Sequence, residues 1–384
     1  MAEDRYIVFD VETAQRTRRG PAGARARAPF RVERLSRSAA DDAKHDPKVV
    51  VARPIPTKLV KPVAKRAVPK RGTTGTAWGV LAVGAPKSPF TGKGIKVAIL
   101  DTGIDAGHPA FKGVKITQRD FTGEGDGDQQ GHGTHVAGTI GGQDVGGFRI
   151  GVARSVELLI GKVLDHEGSG STAGIFEGIL WAIKEGAHVI SMSLGIDFPG
   201  IAKELQQGGM AIEPATSLAL EEYRETIRLF GALSQVIASE RFGRPSLIVA
   251  ATGNESDRGT GAHAYTIGIA PPAASDGYLG VAAIQWKANK TSIAPFSNTG
   301  PAVAGPGVDV ISAKLGGGLV SFDGTSMATP HAAGVAALWA EKLAKTDGDV
   351  DTDVLRARLT GTAKAIAGLK PVDVGAGLVQ APAS

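Results

Sequence analysis

Three short segments of this sequence contain residue types that can cooperate in nucleophilic catalysis. Asp101 ends an apolar run, His132 opens a stretch of small residues, and Ser326 precedes an apolar helical stretch. A serine hydroxyl is a poor nucleophile near neutral pH, so it needs a base such as imidazole to take its proton. A buried carboxylate holds that imidazole in the required tautomer and stabilises its protonated form. The three residues together predict an acyl-transfer site.

Each of these segments has a plainer explanation when it is taken alone. An Asp-Thr-Gly sequence more often marks a turn after a strand. The pair His132 and His135 lacks the glutamate of the zinc-binding helix pattern, so we assign no metal ligand. We expect His135 and His331 to be packing residues of their helices. Because three roles of one mechanism coincide, we favour the catalytic explanation for the set.

Apolar strand-like runs alternate with helical stretches from about Trp78 onward. This alternation predicts an α/β fold, a three-layer α/β/α domain with a mainly parallel central sheet. Functional groups of such folds collect at the carboxyl ends of the strands, where Asp101 is expected. The predicted strands are 95–100, 158–164, 189–194, 247–252 and 279–284, and the predicted helices are 133–140, 172–184, 214–238, 327–345 and 352–359.

The three segments together resemble the subtilisin-like serine peptidases, the subtilase family. The chain order Asp, His, Ser is that of subtilisin, and Gly-Thr-Ser-Met-Ala-Thr-Pro-His around Ser326 is the most specific motif. The resemblance spans about 78–378 and implies a serine endopeptidase that forms an acyl-enzyme. It implies that Asn254 and the backbone N–H of Ser326 form the oxyanion hole. It also implies two extended segments that hold the substrate as an added strand, with the residues Gly168, Ser169, Gly170, Ser193, Leu194 and Gly195.

The sequence departs from the family at its common calcium site. Ala110 stands where a ligand aspartate often follows a His-Pro pair, and the loop 143–149 lacks the usual asparagine oxygen donors. We therefore expect no required cofactor, and calcium is allowed but not predicted. Residues 270–273 match the family's floor of the pocket for the residue before the scissile bond, and they are apolar with no visible acid. The resemblance therefore implies a preference for apolar or medium-sized side chains at that position. We also hypothesise that Asp126 or Asp128 attracts a basic residue at the second position before that bond.

The first 75 residues differ in composition from the rest of the chain. They contain 18 Lys or Arg and eight Asp or Glu. Strand-like runs at 6–9 and 48–51 and a helical turn or two within 32–44 flank a stretch, 13–30, that is too polar to bury a core. Prolines at 54, 56, 62 and 69 mark an extended path.

We therefore divide the chain into a basic N-terminal segment, 1–75, and a peptidase domain, 76–384, with an insertion around 196–246. The N-terminal segment is a candidate pro-segment, since subtilases have inhibitory extensions. We hypothesise that part of 47–75 lies on or near the cleft, and the alternative is an uninvolved tail. The insertion is a surface feature, a wall or lid of the cleft, or a dimer contact.

Composition limits the other function classes. No apolar run reaches the ~20 residues that span a bilayer, the chain has no cysteine, and its start does not resemble a secretory signal. We expect a cytoplasmic enzyme with protein or peptide substrates, no membrane partner and an undetermined oligomeric state. Two alternatives stay open: a processing peptidase dedicated to one partner, and a binder of acidic surfaces or nucleic acid through the basic segment.

Overall fold

A computed structural model of the chain describes residues 3–10, 30–60, 62–67, 75–196, 198–238, 244–259 and 264–383. The strands are β1 (Glu3–Asp10), β2 (Phe30–Ser36), β3 (Val49–Ala52), β4 (Pro56–Leu59), β5 (Ala64–Ala67), β6 (Gly75–Thr76), β7 (Lys96–Asp101), β8 (Ile116–Asp120), β9 (Phe148–Arg149), β10 (Glu157–Lys162), β11 (Ser169–Ser171), β12 (Val189–Met192), β13 (Leu194–Gly195), β14 (Leu247–Ala251), β15 (Tyr278–Lys287), β16 (Lys290–Ile293), β17 (Val303–Pro306), β18 (Val310–Ala313) and β19 (Leu319–Asp323). The helices are α1 (Arg37–Lys44), α2 (Trp78–Ala82), α3 (His132–Gly141), α4 (Thr172–Lys184), α5 (Phe198–Gln207), α6 (Ile212–Ala238), α7 (Thr325–Thr346), α8 (Thr352–Gly361) and α9 (Pro371–Val374).

The central sheet has eight strands, in the order β8-β10-β7-β12-β14-β15, with β17 and β16 also paired to β15. All neighbours are parallel except β15 and β16. Successive side chains of a strand point to opposite faces. Val97 and Ile99 of β7 join the core under α3 and α7, whereas Ala98 and Leu100 join the core under α4 and α6. The sheet is therefore buried on both faces, which explains the continuous apolar runs.

This architecture confirms the expected three-layer α/β/α fold with a mainly parallel sheet. The predicted strand at 247–252 is β14, and the predicted helix at 214–238 is α6 with two more residues at its start. The strand predicted at 189–194 is interrupted at Ser193 into β12 and β13. Strand β8 was not predicted, because its alternating half-buried and exposed residues give no apolar run.

The N-terminal residues fold into a small sheet of their own. Strand β1 pairs antiparallel with β2 on one side and β3 on the other, and α1 follows β2 with Ser36 as its N-cap. The helical prediction for 32–44 is right for α1 and wrong for 32–36, which form β2. The predicted strand runs at 6–9 and 48–51 lie on β1 and β3. The stretch 13–30 lies outside the described residues except for its last residue.

One face of this N-terminal sheet packs on the peptidase core. Ile7 and Phe9 are fully buried in the cluster that contains Phe176 of α4 and Phe230 of α6. The rings of Phe9 and Phe176 meet edge to face with centroids 6.3 Å apart. The first strands of the chain are therefore part of the folded molecule rather than a tethered tail.

The insertion forms a helix pair beside these N-terminal residues. Phe198 of α5 packs on Tyr223 of α6 with ring centroids 5.5 Å apart. Glu204 of α5 is 3.2 Å from Lys58 Nζ of β4, and Glu225 of α6 is 2.6 Å from Lys44 Nζ of α1. Both helices therefore contact the N-terminal segment. Among the described residues, no helix is long and apolar enough to cross a membrane.

Candidate active site

Asp101 and His132 meet at the carboxyl end of the central strand. Asp101 is the last residue of β7, and His132 is the first residue of α3. Nδ1 of His132 is 2.8 Å from Oδ1 and 2.9 Å from Oδ2 of Asp101, and both side chains are fully buried. Oδ1 also accepts a hydrogen bond from the N–H of Thr102 at 2.8 Å. Because a carboxylate only accepts, Nδ1 of His132 bears the proton and Nε2 is the basic nitrogen.

The loop before α3 is organised around the buried carboxylate of Asp128. Its Oδ1 accepts from Thr102 Oγ1 and from the backbone N–H groups of Gln130 and Gly131. Its Oδ2 accepts from the N–H and hydroxyl of Thr134. Asp128 is thus turned inward, and the hypothesis that it attracts a basic substrate residue is wrong. For Asp126 that hypothesis stays a prediction.

Ser326 lies at the start of α7, where its backbone approaches the end of β12. Its hydroxyl donates to the carbonyl oxygen of Val60 at 2.9 Å. Among the described residues, Nε2 of His132 has no hydrogen-bond partner. The nucleophile candidate therefore faces a carbonyl group of the chain's own N-terminal segment, and its hydrogen bond to the base is not formed.

Strand β4 occupies the cleft as the middle strand of a three-stranded antiparallel sheet with β11 and β13. The N–H of Leu59 donates to the carbonyl of Gly168 at 2.8 Å, and the N–H of Val60 donates to the carbonyl of Ser193 at 3.4 Å. A Cβ on Gly168 would lie 3.0 Å from the Cβ of Leu59, so glycine permits this approach. All six residues for which the resemblance implies substrate binding, Gly168, Ser169, Gly170, Ser193, Leu194 and Gly195, lie on the two flanking segments.

The chain continues along the cleft beyond Val60. Pro62 has no N–H to donate, and the N–H of Val63 donates to the carbonyl of Asp323 at 2.7 Å. Strand β5 then pairs antiparallel with β19, with Ala64 opposite Asp323. Residues on both sides of the Val60 carbonyl are therefore bound to the peptidase domain.

Asn254 lies beside the start of α7, as the resemblance implies. Its Oδ1 accepts hydrogen bonds from the N–H and the hydroxyl of Thr325, both at 2.9 Å. These two bonds fix the orientation of the side-chain amide, and its NH₂ group is the donor end. The amide nitrogen is 3.2 Å from the place of a Cβ on Gly324, so the donor end faces the backbone that precedes Ser326.

Pro271, a residue of the predicted pocket segment, and the side chain of Val60 both lie close to Gly195. A Cβ on Gly195 would meet Cγ2 of Val60 at 3.3 Å and the carbonyl oxygen of Pro271 at 3.6 Å. A cavity of about 120 Å³ is lined by Ala270, Pro271 and Glu255, among others. Val60 is not among the residues that line this cavity, and the expectation of a pocket without an acid stays a prediction. Glu255 directly follows Asn254 in the sequence.

Two residues of the cleft were not identified from the sequence: Val60, and Asp323, whose carbonyl accepts the N–H of Val63. The only signal for Val60 was the proline-rich extended path of its segment. Asp323 lies within the motif around Ser326, three residues before it. The hydrogen bond between Val63 and Asp323 joins residues more than 250 positions apart, and no local sequence pattern predicts such a contact.

His135, His188 and His331 stay neutral inside the protein. Burial is the main cause that lowers their pKa values, to about 3 for His135 and to about 4 for His188 and His331. His135 stacks on Phe322 with ring centroids 4.4 Å apart, and His331 Nδ1 lies 2.8 Å from the carbonyl oxygen of Met327. Both are packing residues, as expected from the sequence.

These depressed pKa values predict instability in acid. The unfolded chain binds protons at its histidines below about pH 6.5, while the folded chain does not until near pH 4. The stabilisation is therefore complete above about pH 6.5 and is lost as the pH falls below it, by about 2 kcal/mol per buried histidine at pH 5. Urea unfolding between pH 8 and pH 5 measures this loss. His331→Gln should flatten the pH dependence of the free energy of unfolding. His45→Gln, on an exposed turn, is the control and should leave that dependence unchanged. A free energy of unfolding that is constant down to pH 5 contradicts the prediction.

Comparisons with known proteins agree with this geometry. Residues 92–377 match the family model of the subtilase family. The chain is 36% identical to the intracellular serine protease of Paenibacillus polymyxa over 253 residues, which are 64% of this chain and 67% of that protein. It is 36% identical to subtilisin Savinase of Lederbergia lenta over 271 residues, covering 69% of this chain and 84% of that protein. The chain is also 36% identical to the M-protease of Shouchella clausii over 271 residues, which are 69% of this chain and 60% of that protein.

The family match spans the segments that hold Asp101, His132 and Ser326. Subtilases are hydrolases that use an Asp-His-Ser triad. The comparisons lend no support to a binder of nucleic acid or acidic surfaces. The chain belongs to the subtilase family, and it is a serine endopeptidase.

Proposed function

We propose that Asp101, His132 and Ser326 are the catalytic residues, and that residues 56–60 fill the cleft until the enzyme cuts the bond after Val60. The observation that carries this proposal is the hydrogen bond of 2.9 Å from Ser326 Oγ to the Val60 carbonyl oxygen. It supports the view that Val60 occupies the position of the residue before the scissile bond. A strand added between two glycine-containing segments is the way a peptide substrate is recognised by its backbone.

The chemistry follows from these positions. Ser326 Oγ turns toward His132 Nε2, gives up its proton and attacks the carbonyl carbon. His132 then gives the proton to the leaving amine, which in self-cleavage is the backbone nitrogen of Lys61. Water releases the acyl group from Ser326 in a second pass, again with His132 as base. Asp101 keeps His132 in the tautomer with Nε2 as base, while the NH₂ of Asn254 and the N–H of Ser326 stabilise the oxyanion.

The N-terminal sheet supports an inhibitory role for the segment that follows it. It packs on α4 and α6 through Phe9 and Phe176, and Lys44 pairs with Glu225 at 2.6 Å. This packing holds β4 at the cleft as part of the same chain, so its effective concentration there is high. We infer that residues 1–60 are a pro-segment which competes with external substrates until the bond to Lys61 is broken.

Intact-mass analysis of the purified full chain over time tests the proposal. We expect a fragment that begins at Lys61, followed by reaction of a fluorophosphonate probe at Ser326, located by peptide mapping. Probe attached to another serine, or a full-length chain that neither cleaves itself nor reacts with the probe after prolonged incubation, would refute it.

Protein or peptide substrates follow from the family, and their finer features are part of the proposal. Val60 favours substrates with an aliphatic side chain directly before the scissile bond. A cytoplasmic location is supported by the name of the Paenibacillus polymyxa relative, intracellular serine protease. Fractionation of cells followed by detection of the protein tests the location; recovery only outside the cells contradicts it.

We propose that the enzyme needs no calcium, because the donor set at the expected site does not fit the ion. Ala110 offers no side-chain oxygen. Arg149, the last residue of the loop, donates from its guanidinium to the carbonyl oxygens of Gly151 at 3.1 Å and Val152 at 3.2 Å, so the protein's own cation lies at the end of this loop. Calcium prefers six to eight oxygen ligands, and the positive charge of Arg149 opposes a second cation nearby. Among the described residues, no three His, Asp or Glu side chains cluster as metal ligands.

Chelation gives the corresponding prediction. An ion present at 100 times its dissociation constant would add about 2.7 kcal/mol to stability, so its removal would lower Tm by several degrees. We expect EDTA to change Tm by less than about 1 °C relative to added calcium. A larger fall, reversed by calcium, would show that the ion is bound at another place.

A further inference from the structure

The side of the cleft after the scissile bond contains an acidic pair that holds an arginine. Arg66 of β5 donates from one guanidinium nitrogen to Asp323 Oδ1 and from the other to Asp323 Oδ2, each at 2.8 Å. The first nitrogen also contacts Asp309 Oδ1 at 2.8 Å. Two parallel N–H···O bonds of this kind match the planar fork of a guanidinium and do not match an ammonium group.

Asp323 is built into the protein, whereas Arg66 lies on the surface. The Asp323 side chain is 7% exposed and that of Arg66 is 49% exposed. Oδ1 of Asp323 also accepts the N–H of Asp309 at 2.8 Å, which holds the carboxylate in place. Asp309 has a positive φ of 53°, an unusual conformation for an aspartate, and this turn directs its N–H to Asp323. The acidic pair therefore belongs to the rigid peptidase domain, and only its cation comes from the N-terminal segment.

After the bond between Val60 and Lys61 is cut, Arg66 stays on the peptidase chain as its sixth residue, and the acidic pair becomes open to a substrate when residues 62–67 leave β19. Within the described residues, Arg66 is the one Lys, Arg or His side chain within 4.0 Å of the Asp323 carboxylate. A carboxylate that is mostly removed from water is costly without a partner. An incoming peptide that supplies a guanidinium at the same place restores the ion pair.

We propose that Asp323, assisted by Asp309, is a specificity-determining residue that selects substrates with an arginine after the scissile bond. Arg66 is the sixth residue after the Val60–Lys61 bond, and β5 runs antiparallel to β19 in a fixed register. The preferred substrates have arginine at that distance. This inference rests on the proposed function, because it takes Val60 as the residue before the cut.

Matched peptides test the selection. An internally quenched peptide with the sequence of residues 56–67 is compared with a copy in which the arginine is citrulline, which keeps the shape and loses the charge. We expect kcat/KM for the arginine peptide to be about tenfold higher with the wild-type enzyme. Asp323→Asn should reduce this ratio to about one. Glu204→Gln, which affects the exposed pair with Lys58 on the other side of the cleft, is the control and should keep the tenfold ratio.

Equal rates for the two peptides with the wild type, or a ratio that survives Asp323→Asn, would overturn the selection. A second measurement needs no activity. In the full chain with Ser326→Ala, we compare hydrogen exchange of the amides of residues 64–67 in Arg66→Gln, Asp323→Asn and the double variant. We expect both single variants to speed exchange and the double variant to add nothing further. Additive effects would mean that the two side chains do not act together and would overturn the guanidinium site even if the peptidase is active. Coupling without any peptide cleavage would instead reject the proposed function and the selection that rests on it.

Discussion

Replacement of Ser326 with alanine is expected to lower kcat by about 10⁶-fold and to keep the chain at full length. The magnitude is the one established for the nucleophilic serine of subtilisin, a member of the family to which this chain belongs. Without the Ser326 hydroxyl the proposed acyl-enzyme cannot form, so what remains comes from binding and oxyanion stabilisation. Intact mass and hydrolysis of a fluorogenic peptide are the two readouts.

The same variant should still hold its N-terminal segment in the cleft. It loses the hydrogen bond from Ser326 to Val60, but the bonds from Leu59 to Gly168 and from Val63 to Asp323 do not involve the hydroxyl. The control is Ser321→Ala on β19, where the buried hydroxyl has no hydrogen-bond partner among the described residues. It should leave activity within about twofold of the wild type. Retained hydrolysis in Ser326→Ala would contradict the assigned nucleophile, and loss of hydrolysis in the control would indicate damage to the fold.

Asn254→Ala should lower kcat by about 10²–10³-fold with little change in KM, the second-largest effect that we expect. A donor that meets the oxyanion contributes to the transition state and not to substrate binding. Because Asn254 Oδ1 also accepts two bonds from Thr325, alanine removes an acceptor as well as the donor. Asn254→Asp separates the two, since it keeps the acceptor and lacks the NH₂ group.

We expect the aspartate variant to lose at least as much activity as the alanine variant, because its charge opposes the oxyanion. Steady-state kinetics of both variants provide the measurement. If the aspartate variant has wild-type kcat, the loss in Asn254→Ala is a consequence of disturbed packing at Thr325. The oxyanion assignment would then be incorrect.

The sequence alone predicted the parts of this enzyme that depend on local pattern. The sheet strands are buried on both faces, so β7 and β14 appear as apolar runs whose predicted boundaries are within one residue of the observed ones. Each of the three candidate catalytic residues lies where a strand ends or a helix begins. Short motifs rich in small residues mark these places in the sequence: they surround Asp101, His132 and Ser326. The fold class and the candidate triad residues could therefore be proposed before any contact was known.

Only the tertiary structure decided what occupies the cleft. Residues 56–60 have no residue type that marks them as a bound strand; their place depends on hydrogen bonds to Gly168 and Ser193, more than 100 positions away. The small N-terminal sheet owes its position to packing of Phe9 on Phe176, which no local periodicity predicts. Arg66 and Asp323 likewise become partners only when β5 pairs with β19. Local propensity determined the helices, the strands and the candidate catalytic residues. Long-range backbone pairing determined which segment Ser326 faces, because the pairing of distant strands depends on their complementarity.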